Sequence, residues 1–277
     1  MKKIFIIGII AIIGVTGIAL FFTDYSSTPS AGDAFATDIS GLTEAKSTEI
    51  VELKNGDSYD LTASIVKKTI DCQTLKMLAY NGSIPGPVIK VPQGGEITLN
   101  FTNNTDVETT IHSHGVRLEN KFDGVPDVTQ KAVGVGESFT YKVKFPDEGM
   151  YWYHPHIRED YAQELGLYGN YWVLPSDPNY WTPVNREIPL FLDDILIENG
   201  KIVTFNKETA NHTLMGRFGN TMLVNGETNY TLNAKKGEIV QCVSTFYKYH
   251  TGGRYYDGAI DILTCDAVHA VDTLRWM

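Results

Sequence analysis

Two His-x-His pairs, His112-Ser113-His114 and His154-Pro155-His156, constrain this chain more tightly than anything else in it. In a β-strand, successive side chains point to opposite faces, so positions i and i+2 share a face and each pair aims two imidazoles the same way. Both pairs adjoin residues of strand character. Strands that set the pairs side by side would bring four ring nitrogens together as a metal site. Zinc and copper both accept imidazole, and copper binds more tightly at equal availability. His212, His250 and His269 stand alone and read as packed or surface residues.

The strand reading rests on alternation. Ile97, Leu99 and Phe101 alternate with Thr98, Asn100 and Thr102, and Phe139, Tyr141, Val143 and Phe145 repeat the pattern. In 149–154, Met150, Trp152 and His154 share one face and Tyr151 and Tyr153 the other, and Pro155 should end the strand or place it at an edge. Gly82, Pro85, Gly86, Pro87, Gly94, Gly95 and Asp123-Gly124 punctuate the intervals as turns. With few helical patterns in the chain, these short strands predict an all-β fold built on a β-sandwich.

Residues 1–22 read as a targeting segment. Lys2 and Lys3 precede an apolar run over 4–22, which fits a cleaved signal or a hydrophobic helix anchoring the chain in a membrane, so the body is expected outside the cytoplasm. Residues 23–45, rich in Ser, Thr, Gly, Ala and Asp, read as a flexible linker. One complete domain is predicted over 46–176, a Pro-containing linker over 177–186, and part of a second domain over 187–241. In that second part Ile188 to Leu192, Met222 to Val224 and Tyr230 to Leu232 read as strands, with turns at Asp193-Asp194 and Asn225-Gly226. The formal net charge of -10 and the lack of a basic patch argue against a nucleic-acid partner.

Several motifs, in this order and spacing, resemble the first domain of the multicopper oxidases: Asn81-Gly-Ser-Ile-Pro-Gly-Pro87, His112-Ser-His-Gly115, Asp123-Gly-Val-Pro126, Thr129-Gln130 and Gly149-Met-Tyr-Trp-Tyr-His-Pro-His156. Met215-Gly-Arg-Phe-Gly219 and Val224-Asn-Gly226 resemble the opening of the second domain in the laccase-like, three-domain branch. The resemblance implies cupredoxin-like Greek-key sandwiches and a three-copper cluster between the first and last domains. There oxygen is reduced to water with electrons drawn singly from a donor through a type 1 copper. It further implies that His112 serves the type 2 copper, His114 and His154 one type 3 copper, and His156 the other. Asp123, eleven residues after His112, falls where the family carries an acid that delivers protons, although Asp before Gly also makes an ordinary turn.

The type 1 ligands that the family draws from its last domain have no counterpart here. The cysteines are Cys72, Cys242 and Cys265, and the offsets from Cys265 to His269 and Met277 fit a blue copper site badly. Residues 242–277 break the expected pattern and read as an aberrant or poorly ordered tail, as if a frameshift or assembly break near Cys242 had replaced the native continuation. Three readings stand at this point. The chain is the N-terminal part of a multicopper oxidase, completed by a missing third domain or a neighbouring subunit; or a catalytically incomplete copper-binding protein; or a two-domain, nitrite-reductase-like copper protein acting as a trimer.

Overall fold

The computed structural model describes residues 36–204 and 219–246. The apolar run over 4–22, and with it the expected N-terminal helix, lies outside the described residues, as do His212, Met215, His250, Cys265, His269 and Met277. Among the described residues no helix is long and apolar enough to cross a membrane.

The first nine strands are β1 (Ile50–Glu52), β2 (Ser58–Ile70), β3 (Gln73–Tyr80), β4 (Val88–Pro92), β5 (Glu96–Asn104), β6 (His112–His114), β7 (Ser138–Lys144), β8 (Gly149–His154) and β9 (Gly169–Leu174). They form a four-stranded sheet in the order β3-β2-β5-β7 and a five-stranded sheet in the order β1-β4-β9-β8-β6. Sheet neighbours are mostly not consecutive in sequence, so the chain crosses repeatedly between the two sheets. A one-turn helix, α1 (Glu159–Ala162), links β8 to β9. The chain is already fastened to the sheet before the predicted start of the domain at 46, because Ala45 N–H donates to the Lys67 carbonyl and Lys67 N–H to the Thr43 carbonyl.

Period-two patterning decides which faces meet. In β5, Ile97, Leu99, Phe101 and Asn103 are buried while Glu96 and Asn100 face water. Aromatic rings from the two sheets interlock across the interior: Tyr80 lies 5.3 Å from Tyr153, and Phe145 lies 5.0 Å from Tyr171. Asn103 is buried as well, and its side chain satisfies the carbonyls of Val107 and Val133. Every residue of β8 after Gly149 is buried, which one-sided alternation does not require. The reason is that the outer face of the five-stranded sheet is also covered: Val88, Met150 and Trp172 form a cluster against Leu174 and Val243.

Residues 175–185 carry no strand or helix, and the chain then enters β10 (Arg186–Ile195), β11 (Ile197–Glu198), β12 (Lys201–Ile202), β13 (Thr221–Val224) and β14 (Val240–Phe246). β10 is central, antiparallel to β13 and parallel to β14. Three details differ from the sequence reading. Asp193-Asp194 is strand rather than turn, because both carboxylates find partners there: Asp193 accepts the Tyr168 hydroxyl at 2.5 Å and Asp194 accepts the Gly219 N–H. Tyr230 to Leu232 joins no ladder among the described residues. The ladder of β14 runs on to Phe246, paired with Leu192, and so crosses the 241/242 boundary. Asn225-Gly226 does form the expected turn, with φ of 51° and 76°.

Candidate metal centre

Strand pairing brings the two histidine pairs together. β6 is the edge of its sheet and runs antiparallel to β8, with His112 opposite His154 and His114 opposite Trp152. Ser113 turns inward, its hydroxyl 3.0 Å from that of Tyr171, which leaves both flanking imidazoles on the other face. β8 ends at His154, where Pro155 has no N–H to give the ladder. His156 then donates its backbone N–H to Thr110 Oγ1 at 3.2 Å, and α1 begins three residues later.

Ring nitrogens of His112, His114 and His154 lie within 4.8 Å of one another; this is the one such group among the described residues, and it contains no cysteine. His114 Nδ1 and His154 Nε2 are 3.3 Å apart. His156 falls outside that spacing, yet its ring centroid is 4.3 Å from that of His112 and 5.2 Å from that of His154. All four rings singled out from the sequence therefore meet at one end of the five-stranded sheet.

Their hydrogen bonds set which nitrogens face the cluster. His112 Nδ1–H donates to the Asp123 carbonyl at 2.6 Å, and His154 Nδ1–H donates to the Pro155 carbonyl at 2.9 Å. A neutral imidazole carries a single N–H, so both rings keep Nε2 as the lone-pair nitrogen. Burial, reinforced by the neighbouring imidazoles, holds His154 well below its ordinary value of 6.5. Burial and His112 push His156 down to about 4, against the opposing pull of Asp123. Both rings are thus neutral near pH 7, the form that coordinates a metal.

Asp123 and Gly124 form the turn that follows a 3-10 segment at Asn120–Phe122. Gly124 has φ +74°, and a Cβ there would sit 2.0 Å from the Ile111 carbonyl oxygen. The turn can lie against the start of β6 only with glycine at that position, and this contact carries the Asp123 carbonyl to His112. The Asp123 carboxylate is part-exposed, with Oδ1 3.3 Å from His112 Nδ1.

Sequence reasoning missed two further neighbours. Trp152, which alternation places on the face of His154, is buried and stacks on His154 with centroids 3.8 Å apart and planes 13° apart, and lies 5.1 Å from His114. Its place directly across from His114 follows from the register. Glu159 Oε1 lies 3.4 Å from His156 Nδ1, and the available signal was an acid three residues after the last histidine. Pre-oriented imidazoles with no thiolate among them suit a borderline ion that changes oxidation state, as copper does.

The multicopper oxidase family model matches residues 62–178. The chain is 37% identical over 119 residues to Multicopper oxidase MCE of Talaromyces pinophilus, a stretch covering 42% of this chain and 19% of that protein. It is 31% identical over 171 residues to Multicopper oxidase mco of Staphylococcus aureus, covering 58% of this chain and 36% of the relative. A solved multi-copper oxidase from Pseudomonas thermotolerans superposes with a TM-score of 0.64 at 30% identity, over 71% of this chain and 47% of that one. The chain therefore spans less than half the length of each of these relatives. Residues 62–178, which carry all four histidines of the cluster, match the multicopper oxidase domain model, and there the chain is similar to these multicopper oxidases.

Proposed function

We propose that His112, His114, His154 and His156 hold copper and supply half of the ligands of an oxygen-reducing cluster. Bound copper would provide one-electron redox chemistry, coupling single-electron oxidations of a donor to the four-electron reduction of oxygen to water. The observation that carries this reading is the convergence of four rings on two paired strands, with Nε2 of His112 and His154 already directed by their Nδ1–H bonds.

Within that reading His112 serves the type 2 ion, His114 and His154 share one type 3 ion, and His156 serves the other. The 3.3 Å approach of His114 Nδ1 to His154 Nε2 supports the shared assignment. Trp152 walls the buried side of the cluster and keeps water from it. Asp123 stands between solvent and His112, and its carboxylate relays protons inward. The remaining ligands and the type 1 electron entry come from a further domain or a neighbouring subunit, and the chain works outside the cytoplasm, exported or anchored to the membrane by residues 4–22.

Metal analysis of the purified chain tests this directly. Copper should bind in preference to zinc, and the double variant His112→Ala/His154→Ala should abolish uptake. Wild-type protein that takes up no copper, or takes it up equally well without those two rings, would overturn the proposal. The copper-loaded chain should also lack the intense blue thiolate band; finding that band would place a type 1 site within this chain.

A further inference from the structure

We propose that Glu159 is a positioning residue for His156: its carboxylate holds the ring proton on Nδ1 and so turns Nε2 toward the other three histidines. The inference rests on the copper-centre reading for its purpose but on geometry for its content. Glu159 Oε1 lies 3.4 Å from His156 Nδ1, with both side chains largely shielded, at 25% and 30% exposure. A carboxylate beside one ring nitrogen favours the tautomer with its proton there, and leaves the opposite nitrogen as the donor atom.

The local chain path explains why this acid and not its neighbour does so. Arg158 adopts the left-handed conformation, φ 48° and ψ 47°, and turns the chain sharply into α1. Its guanidinium grips both oxygens of Asp160, at 2.8 and 2.9 Å. Of the two acids in the first turn, Asp160 is thereby committed to Arg158, and Glu159 lies three residues beyond His156 on the side of its ring. The backbone of His156 is fixed separately by its N–H bond to Thr110, so the carboxylate acts on the orientation of the ring rather than on the path of the chain.

The other two braced rings show how such an acceptor works. His112 gives its Nδ1–H to the Asp123 carbonyl and His154 gives its own to the Pro155 carbonyl. Glu159 is the acceptor that this logic assigns to His156, supplied by a side chain instead of a main-chain oxygen. A side-chain acceptor can be removed by substitution without touching the backbone, so the idea can be tested cleanly.

The test uses the 277-residue chain. Nitrogen-15 NMR of the metal-free protein at pH 7 reads the tautomer of His156, and chelator competition reads copper affinity. Wild type should show the proton on Nδ1. Glu159→Ala should shift His156 toward a mixture and weaken copper binding roughly 10- to 100-fold. Glu159→Gln, which keeps an acceptor oxygen at the same reach, should restore most of both. Asp160→Ala, which removes an equal charge from the same turn, should leave both within about twofold of wild type. An unchanged tautomer in Glu159→Ala, or an equal loss in Asp160→Ala, would overturn the inference. Because the tautomer is read without metal, a Glu159-dependent tautomer in a protein that binds no copper would uphold the positioning role while defeating the copper-centre reading.

Discussion

The two histidine pairs reach one cluster by different routes. His112 and His114 sit on a three-residue edge strand whose alternation sends both rings to one face, and a turn through Asp123-Gly124 then fixes the first ring. His154 and His156 straddle a strand end: only His154 is in the ladder, and Pro155 hands His156 to the start of a helix. The first pair is aligned by periodicity and braced by a remote loop. The second is aligned by the interruption of periodicity, with the His154 ring braced by the adjacent Pro155 carbonyl and the His156 backbone held by Thr110. An identical spacing in sequence can thus be built on two unlike local structures.

Substitutions can separate the two kinds of bracing. The largest effect is expected at Trp152, which backs both pairs. Trp152→Ala should cost about 3–5 kcal/mol in chemical denaturation and loosen His114 and His154 together, and a loss below about 1 kcal/mol would show that the stacking is incidental. Gly124→Ala comes next and should act on the first pair alone. The strained φ and the clash with Ile111 should cost about 2–3 kcal/mol and release the His112 ring, moving its proton off Nδ1 as read by nitrogen-15 NMR. Asp123→Ala should leave the tautomer of His112 intact, because the main-chain carbonyl holds that proton at 2.6 Å; a tautomer change there would shift the role to the carboxylate.

The second pair should reveal itself through pH. His154 and His156 stay neutral in the folded protein while unfolded imidazoles titrate near 6.5, so the unfolded chain binds more protons below that value. Stability of the metal-free protein should be level above about pH 6.5 and fall as pH drops from there toward 4, with a shallower fall in His156→Asn. A denaturation midpoint that stays constant across this window would contradict the burial of these rings. The smallest effect is expected at Ser113→Ala, about 1 kcal/mol, for the loss of one buried hydroxyl contact with Tyr171.

Much of this was legible in the sequence. Strands that are half buried announce themselves by period two, as β5 and β7 did, and the histidine pairs stood out because two residues of one rare type recur at strand spacing. What stayed hidden depends on partners distant in the chain. Asp193-Asp194 has the chemistry of a turn and becomes strand because Tyr168 and Gly219 supply donors. Tyr230 to Leu232 has the pattern of a strand but pairs with none among the described residues. The i+3 signal for Glu159 carries weight only once α1 is known to begin there, and the role of the Asp123 carbonyl belongs to no side chain at all.

The edge position of β6 has a consequence for how the site exchanges its contents. Among the described residues no further strand is hydrogen-bonded beyond β6 in its sheet, and His112, His114 and His156 are each only partly buried there. Copper held there as proposed would be able to come and go through that flank in this chain alone, while the sandwich stays folded. Loading and stripping by small chelators should then proceed at rates governed by bond making and breaking at nitrogen, indifferent to denaturant well below the unfolding midpoint.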